Sequence, residues 1–127
     1  MNTVRYPELR LEVISALESL SDLEYQKNCW GKYEEGVQYY DDLTLNVHIL
    51  YDDVEILPDP ASAVPEVIFP SEVPFFRDLG TALGPLIRDL GDAADRTYIA
   101  DPRWQAVLDS AQAALIAMRE SDDDEYL

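Results

Sequence analysis

Carboxylates gather in the middle of the chain, around its only histidine. The stretch from Asp41 to Pro60 reads DDLTLNVHILYDDVEILPDP and holds His48 between two pairs of adjacent aspartates. Residues 37–66 contain seven Asp or Glu and no Lys or Arg. Such residues can ligate a divalent ion, act as general acid or base, or present negative charge to a partner protein. Each of these three chemistries requires a different spacing of the residues.

A metal site is the first alternative. On a helix, Asp41, His48 and Asp52 would lie one or two turns apart on a single face, where carboxylate oxygens and an imidazole could hold a divalent ion. A metal-dependent hydrolase built in this way needs further carboxylates, for which Asp89 or Asp92 are the candidates. The chain has no second histidine and no His-Glu-x-x-His motif. We therefore keep this site as an alternative and predict no bound metal.

Nucleophilic and acid–base catalysis have little support in the sequence. His48 has a carboxylate four residues on, at Asp52, which could orient its ring on a helix. Cys29 could act as a nucleophile with His48 as its base, but nothing near it in the sequence favours a thiolate. The five glycines match neither dinucleotide-binding nor phosphate-binding loop spacing. We predict no catalytic residue and no cofactor, and we favour a non-enzymatic protein.

A binding surface for a basic protein is the interpretation that the central stretch favours. Acidic side chains steer association with a cationic partner, and interleaved tyrosines bury contact area at little entropic cost. The residues predicted to contact this partner are Asp41, Asp42, Asp52, Asp53, Glu55, Tyr39, Tyr40 and Tyr51. Immunity and regulatory proteins that bind nucleases use this chemistry, since nuclease active faces are basic. A row of carboxylates can also imitate phosphates, so a DNA-mimic inhibitor is a further alternative.

The composition limits the number of domains and the other partner classes. A chain of 127 residues has the commonest size of a single domain. A net charge of −17 argues against direct contact with nucleic acid or an anionic membrane, because both require a positive surface. The single cysteine excludes an internal disulfide. We find no apolar run of the length of a signal peptide or membrane span, so we expect a cytoplasmic protein.

Hydrophobic periodicity predicts two helices in the first third of the chain. The apolar stripe over residues 7–20 predicts an amphipathic helix. Ser21 and Glu24 match a capping box, in which each side chain satisfies a free backbone donor, and this box would begin a shorter helix. That second helix has to stop before Gly36, where glycine tolerates the backbone angles of a terminator.

The central residues 43–50 fit two secondary structures. Their apolar residues alternate as in a half-buried strand, but they also form a helical stripe with Asp41 or Asp42 available as the N-cap. We favour the helix, because no hairpin partner with turn residues lies nearby. Five prolines follow within residues 56–74 and predict an extended connector.

Two long helices are predicted in the second half of the chain. Ser71 is the expected N-cap of a helix to about Leu90, which Pro85 should kink or split because it deletes a hydrogen bond. Asp101, followed by proline, predicts the start of the last helix. The fold class is therefore mainly α, with about five helices and a proline-rich connector in one domain over residues 1–120. An acidic flexible tail is expected over residues 121–127.

Four segments spread over most of the chain carry a family resemblance. These are VRYPELR near the start, YYDDLTLNVHILYDD in the middle, LPDPAS after it and YIADPRWQAV near the end. The chain resembles a group of small, acidic actinobacterial proteins, for which no catalytic residues are established. One compact acidic domain without a catalytic signature is also similar, by analogy, to the immunity proteins of toxin systems. The resemblance to the group carries over no activity and no site residue, and the analogy with immunity proteins does not establish a function.

Overall fold

The described part of the chain is mainly helical, at 74%. The computed structural model describes residues 4–32 and 41–124. Within these two ranges it contains no β-strand. The α-helices are α1 Pro7–Leu20, α2 Leu23–Cys29, α3 Leu43–His48, α4 Val73–Leu90, α5 Asp95–Ala100 and α6 Trp104–Asp124. The prediction of a mainly α, single compact domain is confirmed, with one short helix more than expected.

The first helix has the bounds that its apolar stripe predicts. Pro7 begins α1, where a missing N–H costs no hydrogen bond because the first turn has free donors anyway. The stripe buries Val13, Leu17 and Leu20 completely. At about 2 kcal/mol for each fully buried aliphatic side chain, this face docks α1 onto the core.

The predicted capping box at the start of α2 is wrong. Asp22, one residue later, caps the helix: its carboxylate accepts a hydrogen bond from the Tyr25 N–H at 3.0 Å. The Ser21 hydroxyl points back instead and donates to the Glu18 carbonyl at 3.3 Å. Ser21 thus closes the end of α1, which leaves the capping of the next helix to its neighbour.

The central segment is a helix, and the strand alternative is wrong. Asp42 is the N-cap of α3, with its carboxylate accepting from the Leu45 N–H at 2.7 Å. The helix continues into a single widened turn of π-helix over Ile49–Asp53. Leu43 and Leu50 are buried, so the helical stripe and not the alternating pattern faces the core.

The proline-rich segment forms short turns where an extended connector was predicted. Its two ordered pieces are the 3₁₀ turns Pro60–Ala63 and Pro70–Glu72. Between them Val67 and Ile68 are buried and hold the segment against the core. Proline cannot donate a backbone hydrogen bond, which is why the helical pieces here stay short.

The long fourth helix begins differently from the prediction. The proposed N-cap, Ser71, lies inside the preceding 3₁₀ turn, and α4 starts two residues later. Glu72 is the last residue of that turn, and its carboxylate reaches back to accept from the N–H of Phe69, the N-cap, at 2.8 Å. The helix ends where predicted, because Gly91 adopts φ 52, a left-handed conformation that glycine enters without strain.

Pro85 does not split α4. The helix is continuous from Val73 to Leu90 with this proline inside it. Leu83 and Leu86 on either side are fully buried. Their burial outweighs the hydrogen bond that proline deletes, so packing overrides the local preference.

The last helix, α6, lies at the centre of the helix packing. α6 packs against both α1 and α4, and its Trp104 meets Trp30 edge to face with ring centroids 5.9 Å apart. It extends to Asp124, so the first residues of the predicted tail 121–127 are helical. Among residues 4–32 and 41–124, no helix is long and apolar enough to cross a membrane.

Candidate functional site

The predicted acidic surface is centred on one tight turn, residues 49–55, which we call the acidic turn. Its backbone is closed by the N–H of Val54, which donates to the first carbonyl of the turn at 3.0 Å. The N–H groups of Ile56 and Leu57 both donate to the Leu50 carbonyl, at 2.9 and 3.0 Å. Since all four of these side chains are buried, the turn is fixed to the core on its inner side.

The outer side of the acidic turn carries the charge. Asp52, Asp53 and Glu55 are exposed, and Tyr51 beside them is half-buried. Burial raises the pKa of Tyr51, so its hydroxyl stays protonated and can donate a hydrogen bond. The turn therefore presents three carboxylates and one phenol, held by a backbone that the core restrains.

Glu55 occupies an unusual backbone conformation. Its φ is 57, in the left-handed region, where an L side chain costs about 1–2 kcal/mol that glycine does not. Strained residues of this kind concentrate at functional sites. In this conformation Glu55 is exposed while its neighbours Val54 and Ile56 are both buried.

The carboxylates of the acidic turn have no arginine or lysine partner in the described structure. No Lys or Arg occurs in the sequence between Lys32 and Arg77. Asp52 forms a hydrogen-bonded pair with His48, one turn earlier on α3. The ion pairs of the described arginines go elsewhere, namely to Glu72, Asp122, Asp89, Asp101 and Glu18. The negative charge of the turn is thus left for solvent or a partner.

Asp41, in contrast, lies in the interior, although it was predicted to be part of the binding surface. Only 3% of its surface is exposed. Its carboxylate accepts hydrogen bonds from the Ser19 hydroxyl at 2.7 Å, the Tyr25 hydroxyl at 2.8 Å and the Asn46 amide at 2.9 Å. Because several donors inside the protein satisfy this carboxylate, Asp41 joins α1, α2 and α3 and does not face a partner.

Ser19 is the centre of this buried network, and sequence reasoning missed it because its only signal was a polar residue beside an apolar stripe. Its hydroxyl accepts hydrogen bonds from the Trp30 indole N–H at 2.8 Å and the Asn46 amide at 3.2 Å. Its carbonyl accepts from the Gln26 amide at 2.9 Å. Gln26 accepts in turn from the Trp104 indole N–H at 2.9 Å. The network connects the polar centre to the aromatic part of the core.

Asp42 lies at the edge of the predicted surface, where it also caps α3. Asp95 from α5 approaches the same helix start and accepts from the Leu43 N–H at 3.4 Å. Burial, together with the charges of Asp42 and Asp41, raises the pKa of Asp95 against the opposing effect of that N–H. The start of α3 thus collects negative charge at the positive end of the helix.

A second buried polar centre joins α1, the 3₁₀ turn before α4, and α6. Arg10 forms a two-pronged ion pair with Glu72, with nitrogen–oxygen distances of 2.6 and 2.8 Å. It also donates to Asp122 at 3.0 Å and to the Val67 carbonyl at 3.1 Å, and its guanidinium lies 4.8 Å from the Phe69 ring centre. Burial acts to lower the pKa of Arg10, but Glu72 and Asp122 raise it overall. The pair is fully hydrogen-bonded and plays a structural part.

The residues of the metal alternative are not brought together. Within residues 4–32 and 41–124, no group of three or more His, Cys, Asp or Glu side chains is placed to hold a metal ion. Asp41 is buried in its own network, while His48 and Asp52 are exposed. Asp89, a proposed further ligand, pairs with Arg103 at 2.7 Å, which lowers the pKa of its carboxyl.

The remaining residues of the predicted binding surface and the candidate nucleophile complete the comparison with the sequence. Tyr39 and Tyr40, proposed as anchors of the binding surface, lie outside the described residues. Cys29 is exposed, at the end of α2. Partner contact by the exposed Asp52, Asp53 and Glu55 and by the half-buried Asp42 and Tyr51 stays a prediction.

Comparison with known proteins places the chain in a family. A family model described as a domain of unknown function, DUF7945, matches residues 4–126, and the chain belongs to this family. No curated protein and no solved structure matches the chain.

Proposed function

We propose that the chain is a non-enzymatic module that binds a basic protein through the acidic turn, as an immunity or regulatory protein of that partner. The main support is that Asp52, Asp53 and Glu55 are exposed without a Lys or Arg partner on a turn that buried residues restrain. Holding like charges together in this way costs stability, so their arrangement is best explained by a cationic partner.

The restrained backbone supports the proposal as much as the charge does. A preorganised surface loses little conformational entropy on binding, so more of the contact energy appears as affinity. The carboxylates raise the association rate with a positive surface, while Tyr51 offers an aromatic anchor at the edge of the turn. We propose a cytoplasmic location for the complex and no direct contact with nucleic acid, from the composition and charge of the chain.

The decisive variant neutralises the turn without changing its shape. Asp52→Asn, Asp53→Asn and Glu55→Gln together remove three charges from the acidic turn. A matched control removes three charges elsewhere from exposed positions, with Glu12→Gln, Glu24→Gln and Asp92→Asn. Both variants have the same net charge and should keep the fold, because no Lys or Arg in the described structure pairs with any of the six side chains.

Capture from a lysate of the source organism compares these baits. We expect the wild type and the control to retain the same stoichiometric basic protein at low salt and release it at high salt. The turn variant should capture at least tenfold less of it. Equal capture by the turn variant would remove the acidic turn from the proposal. Competition with duplex DNA for the captured protein then tests the DNA-mimic prediction.

A further inference from the structure

A groove lies between the start of α4 and the second half of α6, and no residue of the acidic turn lines it. Its volume is about 390 Å³. Phe75 from α4 and Ile116 from α6 stand on its two sides and are 36% and 45% exposed. Ala113 and Ala117, one helical turn apart on α6 and half-buried, also line it. Small residues in the lining leave room for the side chains of a third helix.

The edge of the groove is acidic. Glu120 belongs to its lining. Asp78 follows Phe75 by one turn on α4, and Asp109 precedes Ala113 by one turn on α6; both are exposed. No described Lys or Arg pairs with any of these three carboxylates. A groove with this border, whose lining combines Phe75, Ile116 and two alanines with Ser71 and Ser121, suits an apolar ridge flanked by positive charge.

We propose that this groove receives a helix of the basic partner, with apolar residues at every third or fourth position and Lys or Arg along both edges of that ridge. A second copy of this chain is the poorer occupant, because each copy has a net charge of −17 and the groove's own border is acidic. The choice of a basic occupant rests on the proposed function, but the contacting residues are separate from the acidic turn.

Synthetic helical peptides test the groove directly. The first has a Leu ridge with Arg at its edges, the second keeps the ridge but has Glu at the edges, and the third has the composition of the first with the ridge scrambled. Calorimetry should show binding of the first peptide at least tenfold tighter than of either other. Backbone amide shifts in NMR should change at Phe75, Ala113, Ile116 and Ala117.

Variants of the groove complete the test. Ile116→Gln and Ala117→Gln should each weaken the first peptide at least tenfold, while Leu11→Gln, a matched change at an exposed apolar residue of α1, should leave its affinity unchanged. Equal binding of the scrambled peptide, shift changes confined to residues 42–55, or no binding at millimolar peptide would overturn the proposal. A dimer in sedimentation that Ile116→Gln dissociates would also overturn it, by assigning the groove to a second copy.

The experiments distinguish a wrong groove proposal from a wrong proposed function. If the acidic-turn variant loses the captured protein while the peptides fail to bind, the groove proposal is wrong and the proposed function stands. If the acidic-turn variant captures the protein as well as the wild type, the proposed function is wrong, whatever the peptides do.

Discussion

Asp41 and Asp52 are eleven residues apart on the same short stretch, yet they have opposite surroundings. Asp41 is buried and accepts hydrogen bonds from Ser19, Tyr25 and Asn46. Asp52 is exposed, and His48 is its partner. A buried carboxylate is tolerated only when donors replace its water, whereas an exposed one needs none. The comparison shows that a charge run can combine structural and surface residues, which composition alone does not separate.

Among the buried charged residues, we expect the largest loss of stability from breaking the Arg10–Glu72 pair. Arg10→Met leaves Glu72 buried without its counter-charge, and removing one partner of a buried pair costs about 3–5 kcal/mol. Urea denaturation should show this loss in the free energy of unfolding. Arg77→Met, at an exposed position without an ion pair to a described residue, is the control and should change stability by less than about 0.5 kcal/mol. Similar values for both variants would contradict a structural role for the buried pair.

Asp41→Ala is the corresponding test within the central stretch. It leaves the hydroxyl and amide donors around Asp41 without their acceptor, and a hydrogen bond to a charged group contributes about 1.5–3 kcal/mol. We expect a loss of about 2–3 kcal/mol in the same denaturation experiment. Asp52→Ala, in the same stretch but exposed, should cost well under 1 kcal/mol. If the two costs are equal, the distinction between inner and outer carboxylates is wrong.

Glu55→Gly tests whether the strained residue of the acidic turn serves stability. Glycine enters φ 57 without the penalty of a side chain, which offsets its greater freedom in the unfolded chain. We expect a stability between unchanged and about 1 kcal/mol higher, measured by thermal or urea unfolding. A clear loss would mean that the Glu55 side chain stabilises the fold, and it would move this residue to the structural group.

We expect the smallest change in stability from substituting Asp95, and this change should depend on pH. Its folded-state pKa is raised, so its ionisation favours the unfolded chain, and its contribution to stability is present at low pH and lost as the pH rises through the folded value. Asp95→Asn should therefore be slightly more stable than the wild type at pH 7. The difference should vanish near pH 3, below the ordinary carboxyl pKa, in urea midpoints measured across this range. A difference that grows toward acid would contradict the raised pKa.

The sequence predicted the elements whose information is local. The stripe of Val13, Leu17 and Leu20 identified α1 with its observed bounds, and glycine at position 91 identified the end of α4. Whether α4 would continue through Pro85 or split there was left open, because continuity depends on burial against other helices and not on the residue itself. α5 was missed because six residues are too few to establish a helical period.

Of the aspartates predicted to form the binding surface, Asp52 and Asp53 are exposed as expected and Asp41 is not. Exposure of Asp52 and Asp53 follows the pattern of a polar helix face, but Asp41 and Asp42 are neighbours of the same type and cannot be told apart without their partners. Ser19, which donates to Asp41, is 22 residues away in sequence. Such long-range pairs arise from the packing of α1 against α3, which local periodicity does not encode.

The most direct test of the outer role is partner capture by the acidic-turn variant beside its charge-matched control, with thermal unfolding of both baits as a check on the fold. We predict that both variants melt within a few degrees of the wild type and that only the acidic-turn variant loses the basic protein. If both variants lost the basic protein, the loss would be explained by the lower net charge and not by the acidic turn. Retention by the acidic-turn variant would contradict the proposed binding surface.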